Sequence, residues 1–296
     1  MPSHRYLDPA GLARVGNMEL VAKQVVEGFL TGRHRSPYHG FSVEYLDHRP
    51  YTPGDDLRTM DWKMLARSDK YYVKLFEDET NLRAHILLDC SKSMGFKSGE
   101  VDKLTYGCHL AAALTYLLIR QNDAVGLLLF DTAVRSYIPP AAHPSQFRRI
   151  LDAMEDVEPE GETDVGTVLH EAAERTKRRG LIIVISDLID DEQSIASGLQ
   201  HFRHNNHEVI VFHTMDDAEL NFPYDRQTRF QDIEGAGNVT ANPKSLRGQY
   251  LSRIGGFLER IRGDCYDRNI SYNLVNTNEP YDKVLAAYLD KRARLG

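Results

Sequence analysis

The stretch Ala84-His85-Ile86-Leu87-Leu88-Asp89-Cys90-Ser91-Lys92-Ser93-Met94-Gly95 decides how this chain is read. A short continuous apolar run passes straight into an aspartate and two alternate serines. Continuous apolar runs suit strands covered on both faces, as in a parallel sheet. Val125 to Phe130, Leu181 to Ile185 and Val209 to Phe212 have the same texture. Helical periodicities lie between them, over Leu104 to Arg120, Gln146 to Glu155, Val165 to Arg178 and Gln193 to His204. The helix from Leu104 is apolar almost all round and is expected to be the most buried. Strands alternating with helices predict an α/β fold with a doubly wound, mostly parallel, Rossmann-like sheet. The pattern resumes near the C-terminus with a proline-opened helix over Pro243 to Arg262, a strand over Ile270 to Val275 and a helix over Tyr281 to Arg294.

Upstream of Ala84 the texture differs. Leu12 to Leu30 reads as an amphipathic helix. Gly40 to Glu79 is polar and aromatic, with a strand-like run at Tyr71 to Phe76 and a turn at Pro53-Gly54. A second strand-like patch covers Thr228 to Ile233 and Asn238 to Ala241, and the two patches are expected to form one small β-lobe. The expected organisation is an N-terminal helical and β extension over 1–82 and an α/β domain over 83–296. An insert at about 216–242 is expected to pack with the lobe.

Composition narrows the function classes. The chain has 296 residues, 42% hydrophobic and 27% charged, which is ordinary for a globular protein with a substantial core. A net charge of −7 disfavours nonspecific nucleic-acid binding, which needs a basic face. Cys90, Cys108 and Cys265 are widely spaced and form no zinc pattern. The most apolar stretch, Leu110 to Ile119, is about half the roughly 20 residues a membrane span needs. The N-terminus lacks the apolar segment of a signal peptide. A cytoplasmic location without a membrane span is therefore expected.

Ligands of an open α/β sheet bind beyond the carboxyl ends of its strands. The Asp89-x-Ser91-x-Ser93 spacing lets one carboxylate and two hydroxyls converge there. Thr163, within Gly161-Glu162-Thr163-Asp164, adds a hydroxyl at a helix start. Asp187, after Ile185-Ser186, adds a carboxylate at another strand end. Few, hard, mostly neutral oxygen donors suit Mg²⁺ or Mn²⁺ and not zinc. Taken singly, each segment reads equally well as a turn or a helix cap.

Asp89, Ser91, Ser93, Thr163 and Asp187 resemble the metal-ion-dependent adhesion site of von Willebrand factor type A domains. That resemblance implies a von Willebrand A-like domain from about Ala84 onward. It also implies an ion that leaves one position open for an acidic residue of a partner, with Glu162, Asp164 and Met94 near the contact. Glu162 departs from the commoner glycine before the threonine. A further segment is Arg49-Pro50-Tyr51-Thr52-Pro53-Gly54-Asp55-Asp56-Leu57-Arg58-Thr59-Met60-Asp61-Trp62-Lys63, followed by Ala66-Arg67 and Lys74 to Glu79. It resembles the signature of the bacterial and archaeal family known as domain of unknown function 58. Members are often encoded beside AAA+ ATPases of the MoxR type. The resemblance implies a non-enzymatic, chaperone-like adaptor that works with such an ATPase on a client protein. The residues themselves suggest a buried or half-buried ion-pair network of Arg49, Arg58, Asp61, Arg67 and the acidic pair Asp55-Asp56 around Trp62, the lone tryptophan, which is expected to be packed, with a structural role favoured over partner contact.

Other chemistries fit less well. His34, His39 and His48 lack zinc spacing, and the chain has no phosphate loop and no nucleophile elbow. The enzymatic alternative is a Mg²⁺-dependent phosphotransferase or phosphatase with Asp89 as nucleophile. Ser91 occupies the position where such enzymes carry an acid/base aspartate, and a hydroxyl cannot serve that purpose near neutrality.

Overall fold

A computed structural model describes residues 43–52, 60–68, 71–78, 82–231 and 237–293. The expected helix from Leu12 to Leu30 and the turn at Pro53-Gly54 lie outside these residues, as do Asp55 and Arg58. The described residues divide into two units, one within 30–81 and one from Leu82 onward.

In the first unit β1 (Val43–Pro50) pairs antiparallel with β2 (Tyr72–Asp78), with a register shift between Tyr45 and Asp47. Between them lies α1 (Trp62–Ser68). Asp61 is buried and its Oδ1 accepts the Met64 amide at 3.0 Å, so it acts as the N-cap of α1. Tyr51 donates its amide to the Tyr71 carbonyl at 3.0 Å. Trp62 is 61% exposed and Arg67 is exposed, which corrects the expectation of a packed tryptophan.

The second unit runs β3 (Arg83–Asp89), α2 (Lys103–Arg120), β4 (Ala124–Phe130), β5 (Val134–Ala141), α3 (Ser145–Glu155), α4 (Val165–Arg175), β6 (Leu181–Ser186), α5 (Glu192–His204), β7 (Glu208–Met215), α6 (Asp217–Asn221), β8 (Thr228–Gln231), β9 (Asn238–Ala241), α7 (Pro243–Asp267), β10 (Ser271–Asn276) and α8 (Tyr281–Ala293). Six strands form one sheet in the order β10-β7-β6-β3-β4-β5, all parallel except β5, which pairs antiparallel with β4. The α/β reading with a mostly parallel, Rossmann-like sheet holds. Among the described residues strands β8 and β9 pair with each other, as β1 does with β2.

Alternate residues of each central strand face opposite layers. Ala84, Ile86 and Leu88 of β3 join Ile183 and Ile185 of β6 beneath α2, α3 and α8. Leu87, Ile182 and Val184 meet the apolar faces of α4, α5 and α7 on the other side. Each fully buried aliphatic side chain contributes roughly 1.5–3 kcal/mol of transfer free energy. Helix starts are fixed by side-chain caps: Asp102 to the Thr105 amide at 2.6 Å, Asp164 to Thr167 at 3.0 Å and Asp191 to Ser194 at 2.8 Å.

The topology positions the site. From β3 the chain passes through α2 to β4 on one side, and it later returns to place β6 on β3's other flank. Strand order reverses between β3 and β6, the crevice where open α/β sheets bind ligands. Asp89 ends β3, and Asp187 immediately follows β6.

Candidate functional site

The site begins with Asp89, which is fully buried. One of its carboxylate oxygens accepts the Ser91 amide at 2.9 Å, and the other accepts the Ser186 hydroxyl at 2.6 Å. The first contact forms because the chain turns at once into a short 3₁₀ segment, Lys92–Gly95. That turn brings the Ser91 and Ser93 hydroxyls to 3.0 Å from each other. Burial, and then the neighbouring Asp187 charge, push the Asp89 carboxyl up to about 7. An extra positive charge would relieve this crowding.

Asp187 is also fully buried, and one oxygen accepts the Ile189 amide at 3.3 Å. The next residue, Leu188, has φ +52, a left-handed conformation unusual for leucine. It is held by the Ser186 hydroxyl, which accepts its amide at 2.9 Å.

The third segment arrives through backbone hydrogen bonds. The Lys92 amide donates to the Gly161 carbonyl at 3.1 Å, and the Glu160 amide donates to the Cys90 carbonyl at 3.1 Å. These bonds bring the Gly161-to-Asp164 loop against the serine turn. Gly161 has φ +76, and a Cβ there would lie 2.8 Å from Asp131 Oδ2. Thr163 is half-buried on this loop, Glu162 is exposed, and Asp164 caps α4.

Asp89, Ser91, Ser93 and Asp187 thus converge as expected, with the Thr163 loop beside them. Met94 does not belong to a partner-facing rim. It is fully buried, because the 3₁₀ turn points its side chain into the core near Gly107. The sequence reading missed Ser186, which orients Asp89, and Lys103, whose ammonium lies 2.8 Å from both Asp187 Oδ2 and Glu219 Oε1. A lysine in the first turn of an apolar helix opposes the helix dipole, and that anomaly was visible in the sequence. Beside Ser93 opens a cavity of about 350 Å³ lined by Phe96, Glu219, Phe222, Tyr224 and Tyr250.

The donors are two carboxylates and hydroxyls. Among the described residues, no three His, Cys, Asp or Glu side chains group as a metal cluster. A donor set this poor in charge suits a hard divalent cation that keeps some of its waters.

The chain belongs to the family described as protein of unknown function DUF58, which matches residues 47–254. Uncharacterized proteins of Mycobacterium bovis and Mycobacterium tuberculosis are 26% identical to it over 236 residues, covering 77% of this chain and 72% of theirs. Among solved structures, the conserved hypothetical protein BatB from Bacteroides thetaiotaomicron aligns at 18% identity and TM-score 0.48, over 72% of this chain and 99% of its own. An aerotolerance-related membrane protein from Bacteroides fragilis aligns at 17% identity and TM-score 0.48, over 73% and 100%. An uncharacterized membrane spanning protein from Vibrio fischeri aligns at 18% identity and TM-score 0.25, over 72% and 98%. The cytoplasmic location expected from the sequence is accordingly withdrawn, since two of these structural neighbours are described as membrane proteins. Among the described residues no helix is long and apolar enough to cross a membrane, and that fact by itself assigns no compartment.

Proposed function

We propose that this protein is a metal-dependent protein-interaction module with a von Willebrand A-like domain. Asp89, Ser91, Ser93, Thr163 and Asp187 would hold Mg²⁺ or Mn²⁺. When bound, the ion supplies a position open to a carboxylate of a partner protein. The observation that carries this reading is the meeting of Asp89 and the Ser91–Ser93 hydroxyl pair with Asp187 at the switch point of the sheet. The partner we propose is a MoxR-type AAA+ ATPase, acting with this chain on a client protein. The resemblance of the Arg49-to-Glu79 segment to a family often encoded beside such ATPases supports that choice.

The chain's own groups divide the work. Ser186 and the Ser91 amide fix the Asp89 carboxylate. The Gly161 carbonyl and the Lys92 amide hold the threonine loop against the serine turn. A partner carboxylate entering the open position gains a charge-assisted bond that a neutral side chain cannot make.

Calorimetric titration of the purified ATPase tests the proposal. Binding is expected with Mg²⁺ and lost with EDTA. Ser91→Ala and Thr163→Ala are each expected to weaken it by at least roughly tenfold while leaving the protein folded. Equal affinity in both buffers overturns the metal bridge.

A further inference from the structure

Lys103 is fully buried, and two physical costs fall on it. Its charge sits at the positive end of α2, and an ammonium removed from water needs strong compensation. The compensation is specific. Nζ lies 2.8 Å from Asp187 Oδ2 and 2.8 Å from Glu219 Oε1, with the Phe96 ring centre 5.8 Å away. Burial works against the charged form, but the two carboxylates outweigh it and hold the lysine pKa above its ordinary value. Glu219 is itself anchored, since its other oxygen accepts the Asp216 amide at 2.8 Å in the capping box of α6. The lysine therefore ties a fixed carboxylate of α6 to the Asp187 side of the candidate ion site.

Resting on the ion-binding reading of this site, we propose that Lys103 is a tethered counter-cation that competes with the divalent ion for Asp187. In the ion-free protein the ammonium neutralises Asp187 and holds the two sheet-edge loops together. A divalent ion gains full use of Asp187 only by drawing that carboxylate away from the lysine, because two cations on one carboxylate repel. The competition weakens ion affinity, and it makes the ion-free fold tolerant of metal loss.

Thermal melts and Mn²⁺ titration of the full chain, followed by the electron paramagnetic resonance of free Mn²⁺, test this. Lys103→Met leaves Asp187 and Glu219 buried without their cation. In EDTA it is expected to melt roughly 6–20 °C below the wild type, with most of that loss restored by millimolar Mg²⁺. The wild type is expected to change little between the two buffers. The double variant Lys103→Met, Glu219→Gln removes one charge of each sign and keeps the acceptor for the Asp216 amide. It is expected to bind Mn²⁺ at least roughly tenfold more tightly than the wild type, with net charge unchanged. Mn²⁺ binding of equal strength in the wild type and the double variant overturns the competition and leaves the ion site standing. No Mn²⁺ binding by either protein removes the ion site and the competition with it. If neither variant folds, the ¹⁵N resonance of the buried wild-type ammonium decides. A shift that saturates with Mg²⁺ supports the proposal, and a resonance unmoved by Mg²⁺ overturns it.

Discussion

Asp123, just before β4, is buried, and only one of its carboxylate oxygens has a hydrogen-bond partner, the Leu82 amide at 3.0 Å. Burial pushes its pKa from 3.8 up to about 7. The folded value lies above the unfolded one, so its contribution to stability is complete below about pH 4 and is lost as pH rises toward 7. His213 runs the other way. Burial lowers it to about 4, so its contribution is present above about pH 6.5 and lost as pH falls through 4. Asp123→Asn keeps an acceptor for Leu82 and removes the alkaline loss. Relative to the wild type, the variant is expected to gain about 2–4 kcal/mol between pH 4 and pH 8. Urea unfolding across that range measures it, and a difference that does not change with pH refutes the assignment. At this scale the strand-end residues Asp89, Ser91, Ser93 and Asp187 were legible in the sequence, because each closely follows a continuous apolar run. Ser186, Lys103 and Glu219 were not. Each owes its role to a residue at least 84 positions away or at a different strand end, and no periodicity carries that information.

At the scale of elements, the parallel strands were readable because burial on both faces leaves a continuous apolar run. Strand β5 was not, since Pro139 and Pro140 argue against a strand. It is an edge strand, where a missing amide is tolerated. Helix α7 runs to Asp267, past the expected Arg262, because Ile261 and Cys265 extend its buried stripe through Gly263. Helices α4 and α5 show a tighter constraint. A Cβ on Gly166 would lie 1.8 Å from Ser194 Oγ and 2.5 Å from its Cβ, and one on Gly198 would lie 2.7 Å from Leu169 Cβ. Gly166→Ala is therefore expected to cost about 2–3 kcal/mol by overpacking. Because α4 begins directly after Thr163 and Asp164, the same change is expected to weaken Mg²⁺ binding. Ser194→Gly should recover part of the loss, seen in a double-mutant cycle as a coupling of about 1 kcal/mol or more. Strict additivity of the two changes rules out the close contact.

At the scale of the molecule, the two core clusters on either side of the six-stranded sheet are built, among the described residues, from Ala84 onward, with Leu82 packed against one of them. In the 30–81 segment Met60 and Val73 are buried apolar side chains. Stability follows apolar area removed from water far more closely than it follows surface ion pairs. A chain beginning at Leu82 keeps both clusters and is therefore expected to unfold cooperatively in urea. Trp62→Ala, at a 61% exposed ring, is expected to change stability by less than about 1 kcal/mol. The sequence reading had led to the opposite expectation, because a lone tryptophan among charged residues looks like a packed anchor. An exposed aromatic is instead a feature common at contact surfaces. The two changes separate stability from binding. If the shortened chain holds its fold and its Mg²⁺ response but loses affinity for the ATPase, the residues before Leu82 serve the partner. A shortened chain that melts without cooperativity, or a Trp62→Ala loss of several kcal/mol, would place the segment in the fold after all.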